Sequence, residues 1–265
     1  MMKLAWVTDP HLDWLSRKDI QSFLLEITSF SPDALLITGD IALGDCIEQY
    51  LRTISFQVPL YFVLGNHDYW AGQIDKVRAR VAEMSCDILV HSRVYLHRAG
   101  IIPLTSTTAL VGVDGWGDAR YGDYENSGLV LGDDIHCADI KHLGKEAKRL
   151  KLNALGDESA ARLQELVPQA LDQFSHLIVA THVPPWREAA LYQGVPSDKH
   201  SLPFFSCKAT GDVLLAQAGA HPDRQITVLC GHTHDPARIQ VRPNLLCRVG
   251  AATYGHPRIE DILEL

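Results

Sequence analysis

The 265-residue chain has no paired cysteine motif, no long apolar run and no excess of basic residues. Each absence excludes something. No stretch approaches the roughly 20 consecutive apolar residues that a membrane-spanning helix needs. A formal net charge of −8, with a pI near 5.9, argues against broad adhesion to nucleic acid or to an anionic membrane, although bound metal ions are not in that count. The six cysteines, at 46, 86, 137, 207, 230 and 247, contain no C-x-x-C pair. They read as scattered buried thiols rather than a disulfide framework or a zinc knuckle. The apolar stretch before Asp9 is too short for a signal peptide. These features lead us to expect a soluble, reducing, cytoplasmic setting. There is no internal repeat and no low-complexity tract.

What is present is apolar material: 46% hydrophobic against 21% charged residues, enough for a sizeable core. Short runs with the length and β-branched content of buried strands occur at 4–7, 34–37, 60–64, 110–113, 177–180 and 226–230. Segments of helical character lie at 17–30, 46–55 and 73–84, between and after the first three. That alternation predicts βαβ units and a largely parallel first sheet. Further helices are expected at 140–150 and 157–174, the second capped by Asp157 and kinked or split by Pro168. The Pro- and polar-rich stretch 184–206 reads as a loop over the site, and the chain from 237 onward as short antiparallel strands. A single domain, 1–265, is the simplest organisation, with a cap or lid contributed by 118–174 and 184–206.

The informative feature is where the polar residues fall. The first three strands are followed by Thr8-Asp9-Pro10-His11, Thr38-Gly39-Asp40 and Gly65-Asn66-His67-Asp68. Two later strands are followed by Thr181-His182 and by Gly231-His232-Thr233-His234. Read singly, most of these are caps and turns. Read together, five strand ends each carry a metal-type ligand, and loops at the carboxyl ends of parallel strands converge on one crevice. Carboxylate, imidazole and amide donors without thiolate suit Mn, Fe or Zn. Seven such donors exceed the needs of one tetrahedral ion, and Asp40 could bridge two. A pair of ions about 3.5–4 Å apart can clamp an in-line displacement and lower the pKa of a bridging water toward roughly 7.

In order and spacing these residues resemble the five motifs of the calcineurin-like metallophosphoesterases. The resemblance implies a four-layer α-β-β-α sandwich of two mixed sheets flanked by helices. It implies Asp9, His11 and His234 on one metal, Asn66, His182 and His232 on a second, and Asp40 bridging. It gives His67 the role of protonating the leaving oxygen or stabilising the transferring phosphoryl group, with a metal-bridging hydroxide as nucleophile. The protein serine/threonine phosphatase branch carries an Asp-Arg pair three and four residues after the bridging Asp; here those positions are Leu43 and Gly44. The pattern therefore looks more like the bacterial phosphodiesterase branches, and Asp68 or Asp45 becomes the candidate to orient His67.

The function expected is hydrolysis of a small-molecule phosphate ester by a dinuclear metal centre. The alternatives are a metal-stabilised scaffold without catalysis, or a nuclease with the same chemistry. The acidic balance and the lack of a basic, aromatic-interleaved stretch weigh against the last. Asp133, Asp134, His136, Cys137 and His142 could imitate a second metal cluster. His256 could return to the site late in the chain, and Trp116 could line the pocket.

Overall fold

The computed structural model describes residues 1–85 and 92–265; Cys86 and His91 lie outside them. The chain opens as β1 (Lys3–Val7), α1 (Arg17–Ser29), β2 (Ala34–Thr38), α2 (Ile47–Ser55), β3 (Leu60–Val63), α3 (Ile74–Ser85) and β4 (Arg93–Tyr95). Its middle holds β5 (Ile102–Pro103), β6 (Thr108–Gly112), α4 (Asp133–His136), α5 (Lys145–Gln173) and β7 (His176–Ala180). It ends with β8 (Leu191–Tyr192), β9 (Val195–Pro196), α6 (Leu202–Phe205), α7 (Lys208–Ala220), β10 (Gln225–Cys230), β11 (Ala237–Arg242), β12 (Leu245–Val249) and β13 (Asp261–Glu264).

One sheet runs β13-β1-β2-β3-β4 and the other β11-β12-β10-β7-β6-β5. In the first, β1 to β4 are parallel and only β13 is antiparallel. In the second, β12, β10, β7 and β6 are parallel, with β11 and β5 antiparallel at the edges. The tail expected to be antiparallel thus divides: β11 and β13 are antiparallel to their partners, whereas β12 joins β10 in parallel.

Side-chain alternation along the strands explains the layering. Leu4 and Trp6 of β1, Ala34 and Leu36 of β2, Leu110 of β6, Ile178 and Ala180 of β7 and Leu229 of β10 form one core between the two sheets. The intervening residues turn the other way. Ala5, Val7, Leu35 and Ile37 pack with Phe23, Ile27, Leu51 and Val77 under the helices of the first sheet. Leu177, Val179, Val228 and Cys230 pack with Leu163, Val167, Ala170 and Leu214 under α5 and α7. Strands buried on both faces must be apolar throughout, which is why they read as continuous runs rather than alternating ones. The result is the expected sandwich of two mixed sheets flanked by helices.

One expectation is corrected. The helices read at 140–150 and 157–174 form a single helix, α5, that begins at Lys145 and runs unbroken past Pro168. Asp157 is not its cap; the carboxylate takes two hydrogen bonds from Arg120 Nη2, at 2.7 and 2.8 Å. Gly156 sits where α5 presses on Asp118: a Cβ there would lie 2.6 Å from the Asp118 Cβ. Burial of Leu163, Leu166, Val167, Ala170 and Leu171 holds the segment helical despite the proline. Among the described residues no helix is long and apolar enough to cross a membrane.

Candidate metal centre and cleft

Asp9, His11, Asp40, Asn66, His182, His232 and His234 all lie just beyond the carboxyl ends of β1, β2, β3, β7 and β10. Parallel registers bring those ends side by side. The chain leaves each strand sharply, and five of the nine described non-glycine residues at positive φ belong to this group: Asp9, His11, Asp40, His232 and His234. Such left-handed conformations are sparsely populated for residues with a Cβ and cluster at functional sites. Two motif glycines are explained by contact. A Cβ on Gly65 would lie 2.2 Å from Asp40 Oδ1, and one on Gly231 would lie 2.0 Å from Asp9 Oδ2.

Two groups of donor atoms meet at Asp40. Ligand atoms of Asp9, His11, Asp40 and His234 lie within 4.8 Å of one another. Within that group His11 Nε2 is 3.3 Å from His234 Nε2, and His234 Nε2 is 3.4 Å from Asp9 Oδ1. On the other side, Asn66 Oδ1 is 3.2 Å from His182 Nε2 and 3.1 Å from His232 Nδ1. Asp40 faces both groups, with Oδ1 at 3.3 Å from His182 Nε2 and Oδ2 at 3.9 Å from His11 Nε2.

The surroundings fix which atoms point inward. His182 Nδ1–H donates to the carbonyl of Thr38 at 2.9 Å, which turns Nε2 toward the cluster. His232 Nε2–H donates to the carbonyl of Phe204 at 3.2 Å, which likewise turns Nδ1 toward it. Asp9 accepts from Thr8 Oγ1 at 2.5 Å and from the backbone N–H of His232 at 3.1 Å. Outer partners of this kind orient metal-binding imidazoles and carboxylates.

Electrostatics follow from burying these groups together. Burial opposes ionisation of Asp9, but His182 and His234 outweigh it and bring the carboxyl down to about 2. Asp40 is held well below the usual carboxylate range, against burial, by His182 and His67. Burial pushes His11 down to about 4 and, with His182 nearby, His232 down to about 3. At neutral pH both carboxylates are charged and both of these imidazoles keep a lone pair. Nitrogen and oxygen donors in this state, without thiolate, fit borderline transition-metal ions.

His67 lies at the edge of the cluster, its Nε2 3.9 Å from Asp40 Oδ2. Neither expected carboxylate orients it. Asp68 is buried and accepts from the backbone N–H groups of Ile41 (2.7 Å), Ala42 (2.9 Å) and Gly65 (2.8 Å). It ties the Asp40 loop to the His67 turn and makes no described contact with the His67 ring. Asp45 is exposed. The His67 ring instead stacks on Trp70, with centroids 3.6 Å apart and an interplanar angle of 23°.

The cluster opens into a cleft of about 310 Å³, walled by Trp70, Leu131, Asp133, Tyr192, Phe205 and Tyr254 around Asp40, Asn66, His67, His232 and His234. Its described lining contains no Lys or Arg. Both segments whose placement the sequence left open reach it: Leu131–Asp133 from one, Tyr192 and Phe205 from the other. Tyr254 packs against His11, His234 and Trp14 at 4.4, 5.0 and 4.8 Å between centroids. This tyrosine, rather than exposed His256, brings the late segment to the site.

Other expectations fare differently. Trp116 is buried against Tyr69 and lines a small cavity that shares Asn66, Asp133 and His232 with the open cleft without itself lining the cleft. Asp133, Asp134, His136, Cys137 and His142 do not converge on a metal position: Asp134 pairs with Lys148 at 2.5 Å, and His136 packs on Trp70. Trp70, Tyr192 and Tyr254 were missed, and Asp133 was singled out only as part of that second cluster. Trp70 alone carried a signal, as an aromatic three residues after His67 in a turn.

The profile of the calcineurin-like phosphoesterases matches residues 2–236. The chain belongs to that family. As a calcineurin-like phosphoesterase it is a metal-dependent hydrolase, and its fold is similar to those of solved structures. The phosphopantetheinyl hydrolase of Mycobacterium tuberculosis matches with a TM-score of 0.64 at 16% identity, over 95% of this chain and 89% of that one. A dimetal phosphatase from Danio rerio matches with a TM-score of 0.58 at 10% identity, over 97% and 89%. Among the curated proteins none matches the sequence.

Proposed function

We propose that this calcineurin-like phosphoesterase hydrolyses a phosphodiester or phosphomonoester of a small organic molecule at a two-metal centre. Asp9, His11 and His234 would hold one ion, Asn66, His182 and His232 the other, and Asp40 both. The observation that carries this reading is Asp40, whose two carboxylate oxygens face the two separate donor groups. When bound, such ions neutralise phosphate charge and lower the pKa of a water toward roughly 7.

The chain's own residues supply the rest. His67, beside Asp40 and open to the cleft, is placed to give a proton to the leaving oxygen. Trp70 holds that ring by stacking. With no Lys or Arg in the described lining, the cleft suits a substrate carrying a single phosphate rather than a polyanion. Its walls of Trp70, Tyr192, Phe205 and Tyr254 favour an organic group with apolar or planar surface. The segments 118–174 and 184–206 act as the cap that selects that group.

The test is metal dependence. Protein stripped by a chelator should lose hydrolysis of a chromogenic aryl phosphodiester and recover it with Mn, Fe or Zn, at two ions per chain. Undiminished turnover in the stripped protein, or silence towards diesters and monoesters after reconstitution, would overturn the reading.

A further inference from the structure

Asp133 opens the α4 segment, 67 positions along the chain from Asn66, yet one of its oxygens touches the machinery at two points. Oδ1 accepts from Asn66 Nδ2 at 2.9 Å and from Trp70 Nε1 at 2.7 Å. An asparagine side chain has one acceptor end and one donor end. Committing the Asn66 Nδ2 to Asp133 turns its oxygen toward His182 and His232. The bond to Trp70 fixes the indole on which the His67 ring stacks. The contact is built closely: a Cβ on neighbouring Gly132 would lie 2.3 Å from Trp70 Cη2. Backbone bonds from Ala71 N to the His136 carbonyl (3.2 Å) and from Ala138 N to the Gly72 carbonyl (3.3 Å) clamp the two segments together.

We propose that Asp133 is the positioning residue of this site, setting through one oxygen both the amide ligand Asn66 and the stacking partner of His67. The inference rests on the two-metal reading above. It gives the segment before α5 a task besides lining the cleft. It also answers how His67 is oriented without a carboxylate of its own: Asp133 orients Trp70, and Trp70 orients His67. A carboxylate oxygen has two lone-pair directions, enough for both donors. The Asp133→Asn change would keep an oxygen able to take the same two bonds, whereas Asp133→Ala would keep none.

The test compares D133A and D133N with the unaltered protein, titrating Mn²⁺ into stripped samples by calorimetry and counting bound ions by mass spectrometry. D133A should retain the ion held by Asp9, His11 and His234. Its affinity for the other ion should fall by roughly 10- to 100-fold, the usual cost of losing an outer partner of a ligand. D133N should recover most of that loss. A D133A protein that binds both ions as tightly as the unaltered chain, or a D133N protein as weak as D133A, would overturn the proposal while leaving the two-metal reading in place. Unaltered protein that takes up no ion would overturn the two-metal reading first, and this one with it. A measurement independent of how variants fold is the ¹⁵N NMR signal of the Trp70 indole, assigned by its loss in W70F. It should be protected from solvent exchange in the unaltered chain, and a freely exchanging indole would overturn the proposal.

Discussion

The backbone N–H of His67 donates to Asp40 Oδ1 at 2.9 Å, so the turn that carries His67 is fastened to the carboxylate shared by both donor groups. Asp40 therefore has a structural tie as well as an oxygen facing each donor group. D40A should lose both ions and more than about 100-fold in turnover, beyond the upper end for outer-shell substitutions. Ion counting and chromogenic-substrate kinetics check this. A D40A protein that retains two ions would contradict the bridging role.

His67 should separate from the ligands in the same assays. Its ring faces the cleft and belongs to neither donor group, so H67Q should keep both ions. Loss of a positioned proton donor is worth about 10²- to 10⁴-fold in kcat. The loss should shrink for substrates whose leaving group needs no proton, such as a nitrophenolate. An H67Q protein equally impaired on good and poor leaving groups would argue against proton donation.

Much of this arrangement was legible in the sequence because its causes are local. Each strand is an apolar run, and the turn beyond it carries a motif glycine or a polar ligand within four residues. What escaped depends on contacts between distant segments. Asp133 meets Asn66 across 67 positions, and its own neighbourhood pointed to a separate cluster rather than to this site. The unity of α5 was hidden because Asp157 reads locally as a cap and Pro168 as a breaker, both overruled by packing on Asp118 and on the second sheet. The ties made by Asp68 were hidden for a similar reason: its three backbone partners come from two different loops.

The layer between the sheets should be the most sensitive to truncation. Leu36 is fully buried there with Trp6 and Leu110. L36A should cost about 2–5 kcal/mol, the range for large-to-small changes at closed core positions. Urea unfolding of the metal-free protein measures it; a loss below about 1 kcal/mol would mean the layer is loosely packed.

Behind the turn that carries His67, Asp114 is buried with Arg78, Tyr69, Tyr95 and His97, and Glu158 closes the group from the surface. Hydrogen bonding to His97, together with the nearby charge of Arg78, outweighs burial and holds Glu158 down to about 2 from its ordinary 4.5. A carboxyl depressed on folding contributes stability that is present above about 4.5 and fades as pH falls through about 2. E158Q should therefore be less stable than the unaltered chain at pH 6, and the gap should narrow steadily below pH 4.5. Thermal unfolding across that range checks the sign; a gap that widens on acidification would refute it.

The five donors held at positive φ carry a consequence for engineering the chain. Each left-handed residue with a Cβ is a standing debit of order 1 kcal/mol or more against the folded state. A change to glycine at 9, 11, 40, 232 or 234 would relieve that strain while removing a donor, and at 9 and 40 it would also remove hydrogen bonds that the carboxylates accept. These positions are where directed evolution of this protein should set stability against activity most sharply.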